Sequence, residues 1–308
     1  MEKIFKNKTS AQIMALFAML LWGSAIPMIK MTYKTFDISK TDSGAMTLVA
    51  GYRFVIAGFI VILYKFLFDE EKSKPINFKP TLYIGTALLQ ITIQYIFYYN
   101  GLSKITGVHS SIIQSTNFLM VLIFAHFMMP DDKFNLKKLI CVILGLVATI
   151  LCNYGSRLES GESSLKGEIF IIISTALNAL GTVVMRKWAG DENTYDISIF
   201  QFVFGGGILI ILGLFTANRI FIMNLKGLIL LIYGGFISST AFVIWYLLLK
   251  YRKASRVGVY KLFIPIFGSL LSVIILKDRF NPYLVEALIL TSSATLFLNS
   301  NIMERKKN

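Results

Sequence analysis

Residues 99–118 read YNGLSKITGVHSSIIQSTNF, and residues 247–266 read LLLKYRKASRVGVYKLFIPI. Aligned at a constant offset of 148, they match in plan more than in letters. Each leaves one apolar run, crosses a very short connection at Thr106 or Ala254, and enters the next run, where Asn117 pairs with Pro265. Both continue to an acidic, basic, Phe ending, DDKF at 131–134 and KDRF at 277–280. Upstream, an offset of 156 pairs Trp22 with Asn178 and Lys30 with Arg186. The chain therefore reads as one arrangement written twice.

Working outward from this pair, runs long enough to cross about 30 Å of hydrocarbon fall near 11–31, 44–67, 81–101, 107–129 and 136–153. Five more fall near 166–186, 197–217, 226–249, 255–276 and 282–302. In lipid a lone segment satisfies its own backbone only as a helix. The expected fold is thus an all-α membrane protein of ten transmembrane helices. Residues 1–153 would form the first five-helix repeat, 154–165 an inter-repeat loop, and 166–308 the second repeat with a short tail. Five is odd, so the halves enter the membrane from opposite sides, the inverted-repeat plan of many secondary transporters.

Composition agrees. Of 308 residues, 55% are hydrophobic and 16% charged, against about 25% charged in an ordinary soluble domain. Ten spans leave no room for a second globular domain. The net charge of +14 would suggest nucleic acid in a soluble protein, but no RNA- or DNA-binding motif accompanies it, and no nucleic-acid partner is expected. Nineteen cations fall on the side of the N-terminal tail, nine on the other, and three, Lys30, Arg53 and Lys261, within spans. The richer side should be cytoplasmic, which puts both termini inside, in a bacterial-type plasma membrane. Cys141 and Cys152 lie about 16 Å apart on one helix and cannot bridge. No metal-ligand spacing and no cofactor motif occurs.

Polar residues inside spans are costly and mark candidate function. Lys261, six residues into the ninth span, reads as a counter-charge for a substrate carboxylate or phosphate; the competing reading has its stem snorkel to the interface. Pro265, four residues on, frees backbone carbonyls on the same face. Ser110, Gln114 and Asn117 form one polar stripe on the fourth span, expected to look across at Lys261. Gln90 and Gln94 on the third, Ser238 and Trp245 on the eighth, Asn178 on the sixth and Tyr260 on the ninth complete a candidate substrate ring. Arg53 reads as structural or gating, with Pro27 and Pro265 as bending points. Glu286 is the one acid clearly within a span and a candidate for proton coupling, with Lys277 or Arg279 as a competing partner. His109 and His126 read as interfacial polar residues. Gly205, Gly206 and Gly207 read as close-packing positions.

LLWGSAIPMIK (20–30), GYRFVIAGFIVI (51–62) and the short connections ending in Pro265 and KDRF resemble the drug/metabolite transporter superfamily in its ten-helix EamA-like form. Asn117, where that family often has Pro, and Asp278, where it often has Glu, depart from the pattern. The resemblance implies a non-enzymatic transporter with a central cavity between the third, fourth, eighth and ninth helices and the first and sixth. The expected function is secondary active transport of a small organic metabolite by alternating access. The three cations within spans against one acid favour an amino acid, related zwitterion or anion. Efflux of cationic or aromatic drugs is the alternative within the class; an integral membrane enzyme acting on lipid is the alternative outside it. Membrane lipids are expected partners, and the sequence leaves the oligomeric state open.

Overall fold

The computed structural model describes residues 2–69, 79–105, 107–153, 164–189, 192–277 and 280–300; for residues 2, 3, 107–109, 111, 152 and 153 it describes backbone alone. Most of the expected inter-repeat loop, the tail from residue 301, Thr106, Asp278, Arg279 and the side chains of His109 and Cys152 lie outside the described residues. Among those residues the chain is helical and contains no strand.

The helices are α1 (Glu2–Lys6), α2 (Lys8–Thr35), α3 (Ser43–Phe68), α4 (Pro80–Ala87), α5 (Ile93–Leu102), α6 (Gly107–Ser115) and α7 (Asn117–Met128). Then come α8 (Leu136–Asn153), α9 (Leu165–Trp188), α10 (Thr194–Thr216), α11 (Leu225–Tyr251), α12 (Ala254–Gly258), α13 (Phe263–Leu276) and α14 (Leu284–Asn299). A π-helical stretch, Leu88–Thr92, joins α4 to α5, and a 3-10 stretch, Val259–Leu262, joins α12 to α13. Among the described residues, six helical stretches are long and apolar enough to cross a membrane: α2, α3, α9, α10, α11 and the combined Ala254–Leu276. Ile112–Met128 and Leu284–Asn299 are shorter apolar helices.

Polar residues at the loop boundaries start these helices by accepting otherwise orphaned backbone N–H groups. The Asn7 side chain accepts from Ser10 N at 3.1 Å, Asp42 from Ala45 N at 2.9 Å, Asn193 from Tyr195 N at 2.9 Å and Asn224 from Gly227 N at 2.8 Å. Two spans expected to be continuous are interrupted. At the end of α6 the Ser115 and Thr116 hydroxyls donate to the carbonyls of Ile112 and Ile113 at 2.7 and 2.6 Å, competing with the helical ladder. In the other, Pro265 has no N–H for the carbonyl of Lys261, and the chain is a tight 3-10 turn there.

The most extensive packing pairs α3 with α10; α2 lies against α11 and α13, α9 against α5 and α7, and α8 against α14. Glycine permits the closest of these approaches. A Cβ on Gly51 would stand 2.6 Å from Ile210 N and 2.9 Å from the Gly206 carbonyl, both backbone atoms. Gly51→Ala is therefore expected to lose about 1–3 kcal/mol of stability through overpacking, read as a lower melting temperature in detergent. Gly207→Ala, where nothing lies within 4 Å, should leave melting unchanged or slightly raised.

Two ends of the bundle can be told apart by their polar contacts. At the end bearing α1, buried Asp132 accepts from Lys138 Nζ at 2.6 Å, Ser255 Oγ at 2.5 Å and Ser255 N at 2.9 Å. There too Lys253 Nζ donates to the Asp131 carbonyl, Arg186 lies 3.7 Å from the Asp131 carboxylate, and Lys65 pairs with Asp196 at 2.5 Å. At the opposite end Asn218 N donates to Asp42 at 3.2 Å, and exposed Arg219 and Asp37 stand 3.7 Å apart.

Candidate functional site

Lys261 leaves the 3-10 turn between α12 and α13 and points its ammonium into the bundle. Nζ donates to Asn178 Oδ1 at 2.7 Å, to Asn117 Oδ1 at 3.2 Å and to Thr182 Oγ1 at 3.4 Å. It also lies over the Trp245 ring at 4.7 Å and near the Trp22 ring at 6.0 Å, distances at which a ring quadrupole attracts a cation. No carboxylate pairs with it among the described residues.

The amides around the ammonium are themselves fixed. Asn117 Nδ2 donates to the Thr175 carbonyl and to Asn178 Oδ1, both at 3.1 Å, and Asn178 Nδ2 donates to Gln94 Oε1 at 3.2 Å. Thr182 turns its hydroxyl back to the Asn178 carbonyl at 3.0 Å. Asn178 Oδ1 thus accepts from both Lys261 and Asn117, and its orientation is set by two neighbours. The Trp22 ring meets Trp245 edge-on at 5.5 Å and Phe242 at 5.3 Å. Side chains from α2, α7, α9 and α11 meet the ammonium carried by the α12–α13 turn, and Gln94 of α5 joins them through Asn178. The break at Thr116 places Asn117 at the start of α7, and the 3-10 turn Val259–Leu262 holds Lys261 just ahead of α13.

Several of the expected residues therefore come together: Lys261, Asn117, Asn178, Gln94 and Trp245. Others lie elsewhere. Gln114 Nε2 donates to Ser110 Oγ at 3.0 Å; the α6–α7 break separates this pair from Asn117. Gln90, 1% exposed, packs on Gly181, where a Cβ would stand 2.5 Å from its Cγ. Ser238 is buried on α11, and Tyr260 stacks on Phe263 at 6.4 Å. Pro27 sits inside an uninterrupted α2. Glu286 is exposed in the first turn of α14, a position where the helix dipole favours a carboxylate. His126 Nδ1 accepts from Phe134 N at 3.1 Å. No cluster of three or more His, Cys, Asp or Glu side chains suited to a metal occurs among the described residues.

Sequence reasoning missed Trp22 and Thr182 as neighbours of Lys261. Their signals were present: Trp22 pairs with Asn178 in the repeat alignment, and Thr182 follows Asn178 by one helical turn.

Residues 9–154 match the EamA-like transporter family, and so, separately, do residues 165–300. The chain belongs to that family. Among relatives, an uncharacterized transporter of Bacillus subtilis, YetK, is 26% identical over 290 residues, covering 90% of this chain and 83% of that protein. A second from the same organism, YvbV, is 24% identical over 304 residues, covering 97% and 94%. An uncharacterized transporter of Archaeoglobus fulgidus is 24% identical over 277 residues, covering 89% and 91%. A solved crystal structure at 16% identity superposes with a TM-score of 0.78 over 95% of this chain and 98% of the other, which shows a shared fold. As an EamA-like transporter with six long apolar helices, the protein is an integral membrane transporter.

Proposed function

We propose that the protein is a secondary active transporter that moves a small organic metabolite bearing a carboxylate or other anionic group, with amino acids and related zwitterions first. One observation carries this reading: the Lys261 ammonium is held among helices by three neutral oxygens and two indole rings, with no carboxylate paired to it among the described residues. A charge so placed is costly until an opposite charge arrives. A solute carboxylate would meet Lys261, and the amides of Asn117, Asn178 and Gln94 would orient its polar remainder. A cationic drug would meet a like charge whose ring partners, Trp22 and Trp245, are already engaged. Ordinary solute transport needs no catalytic group, and the protein is read as a non-enzyme.

The proposed architecture is ten spans in two inverted five-helix repeats, 1–153 and 166–308 joined by 154–165, with both termini cytoplasmic in a cell membrane. Two features support it. The family matches once in each half. Packing is also preserved when halves are exchanged: α2 on α11 corresponds to α9 on α5, and α2 on α13 corresponds to α9 on α7, while α3 meets α10 and α8 meets α14. Rocking of the halves about Lys261 would provide alternating access. The unwound turn before Pro265 and the proline at Pro27 would bend, and Arg53 would hold or gate the opposite end. Gln114, Ser110, Gln90, Ser238 and Tyr260 are proposed to join the solute site in another stage of that cycle, and Glu286 is the proposed acid if protons are coupled.

A thermal-shift screen of the purified protein tests the solute class, because a ligand that binds only the folded state raises its stability. Amino acids or organic anions should raise the melting temperature, whereas cationic dyes should not. Stabilisation by cationic dyes alone would reverse the assignment.

A further inference from the structure

Exchanging the halves reproduces most of the helix packing but fails at one seam. α12 packs on α7 and on α9. At the repeat offsets of 148 and 156, the counterpart of α12 is α6, that of α7 is α13 and that of α9 is α2. The same plan would pack α6 on α13 and on α2, and no comparable packing of those elements occurs among the described residues. Exposure follows the same asymmetry. Gln114 on α6 is exposed, whereas its counterpart Leu262 is buried. Ile112 and Ser115 are half-buried where their counterparts, Tyr260 and Phe263, are buried.

The closed seam runs from Lys261 toward the α1 end in three layers, at residues 261, 258 and 255, with steps of about 4.5–6 Å. In the first, Lys261 meets Asn117 and Asn178. In the second, Gly258 faces fully buried Phe118 and Val121 of α7, and a Cβ there would stand 3.4 Å from each side chain. In the third, Ser255 donates through Oγ and N to buried Asp132, just past the end of α7, at 2.5 and 2.9 Å. Lys253 Nζ donates to the Asp131 carbonyl, and Arg186, one turn past Thr182 on α9, faces the Asp131 carboxylate. The elements that hold the Lys261 ammonium by hydrogen bonds are thus tied together again below it, with packed apolar side chains between the two levels. Asp132 also keeps Lys138, from its own side of the seam, at 2.6 Å, so its charge is not left alone if Ser255 departs.

We propose that this seam is a gate: the structure is the state sealed toward the α1 end, and the ties of Ser255, Lys253 and Arg186 to Asp131 and Asp132 hold it shut. Opening parts α12 from α7 and α9 at that end while α6 closes on α13 and α2 at the other, so that the halves exchange conformations. This inference rests on the alternating-access reading given above and adds to it which contacts must break.

The test places a thiol in the seam, Val121→Cys, in full-length Cys152→Ser protein in detergent, and follows its labelling by a charged, water-soluble methanethiosulfonate. Native Cys141, buried where α8 meets α14, is the internal control, and Gln114→Cys in a parallel variant reports the other end. Gln114→Cys should label readily and Val121→Cys at least about tenfold more slowly. Ser255→Ala should speed Val121→Cys labelling about tenfold or more, because a hydrogen bond to a charged group made only in the closed state is gone, with Cys141 unchanged. Lys253→Gln combined with Arg186→Gln, which cuts both ties to Asp131 and leaves Asp132 in place, should also speed it. That pair keeps the test decisive if Ser255→Ala does not fold. Labelling of Val121→Cys as fast as Gln114→Cys, an unchanged rate in both gate variants, or an equal rise at Cys141 would overturn the gate. No solute takes part, so a wrong solute class, read from the thermal-shift screen, would leave this result untouched.

Discussion

Lys261→Ala abolishes uptake of a carboxylate solute into proteoliposomes, while the purified variant keeps its helical content and melts no lower than the wild type. The expected loss is about a hundredfold or more, because removing one partner of a buried charge pair costs roughly 2–5 kcal/mol. Melting is not expected to fall, because the ammonium has no carboxylate to leave stranded and its partners are neutral oxygens. Asn178 and Asn117 still bond each other at 3.1 Å once it is gone. Lys261→Arg keeps the charge but replaces a compact ammonium with a planar fork, so partial uptake is expected. A residue whose stem merely reached for the interface would give wild-type transport in both variants, and that result would remove Lys261 from the site.

Asp132→Ala is expected to cost about 3–5 kcal/mol of stability, seen as a fall of several degrees or more in the melting temperature. Asp132 is 2% exposed and binds Lys138 Nζ, Ser255 Oγ and Ser255 N together. Truncation strands the Lys138 ammonium, which keeps only the Asp132 and Lys133 carbonyls, and orphans the N–H of Ser255 at the start of α12. Asp131→Ala is the control. Its carboxylate is half exposed and 3.7 Å from Arg186, a geometry in which an ion pair contributes about 0–1 kcal/mol. Equal melting of the two variants would show that the Asp132 lattice does not hold this end together.

Much of the polar cluster around Lys261 was legible in the sequence, and the reason is dielectric. In an apolar span a lysine or an amide has few stable partners other than another polar side chain, so Lys261, Asn117, Asn178 and Gln94 stood out before their distances were known. The Ser110–Gln114 pair, expected to look across at Lys261, bonds internally at 3.0 Å, because helical spacing assumes an unbroken helix. Hydroxyls competing for backbone carbonyls at Ser115 and Thr116 end that helix two residues before Asn117. Ser238 entered by its place in the repeat and Tyr260 as an aromatic of the ninth span; Ser238 is buried on α11 and Tyr260 stacks on Phe263. Asp132 looked like the end of a repeat motif; its burial depends on Ser255, 123 residues away in sequence.

By itself the sequence determined the class of the molecule, an all-helical membrane protein built to a doubled plan. Lipid leaves a backbone no other partner than its own helix, so apolar run length translates directly into structure. Tertiary structure alone decided which polar groups meet. Side chains of four helices meet the Lys261 ammonium and Asp132 binds a distant turn, because interhelical hydrogen bonds depend on axial register and rotation. Those are set by small-residue contacts such as Gly51 on Ile210, whose pairing no local pattern reveals.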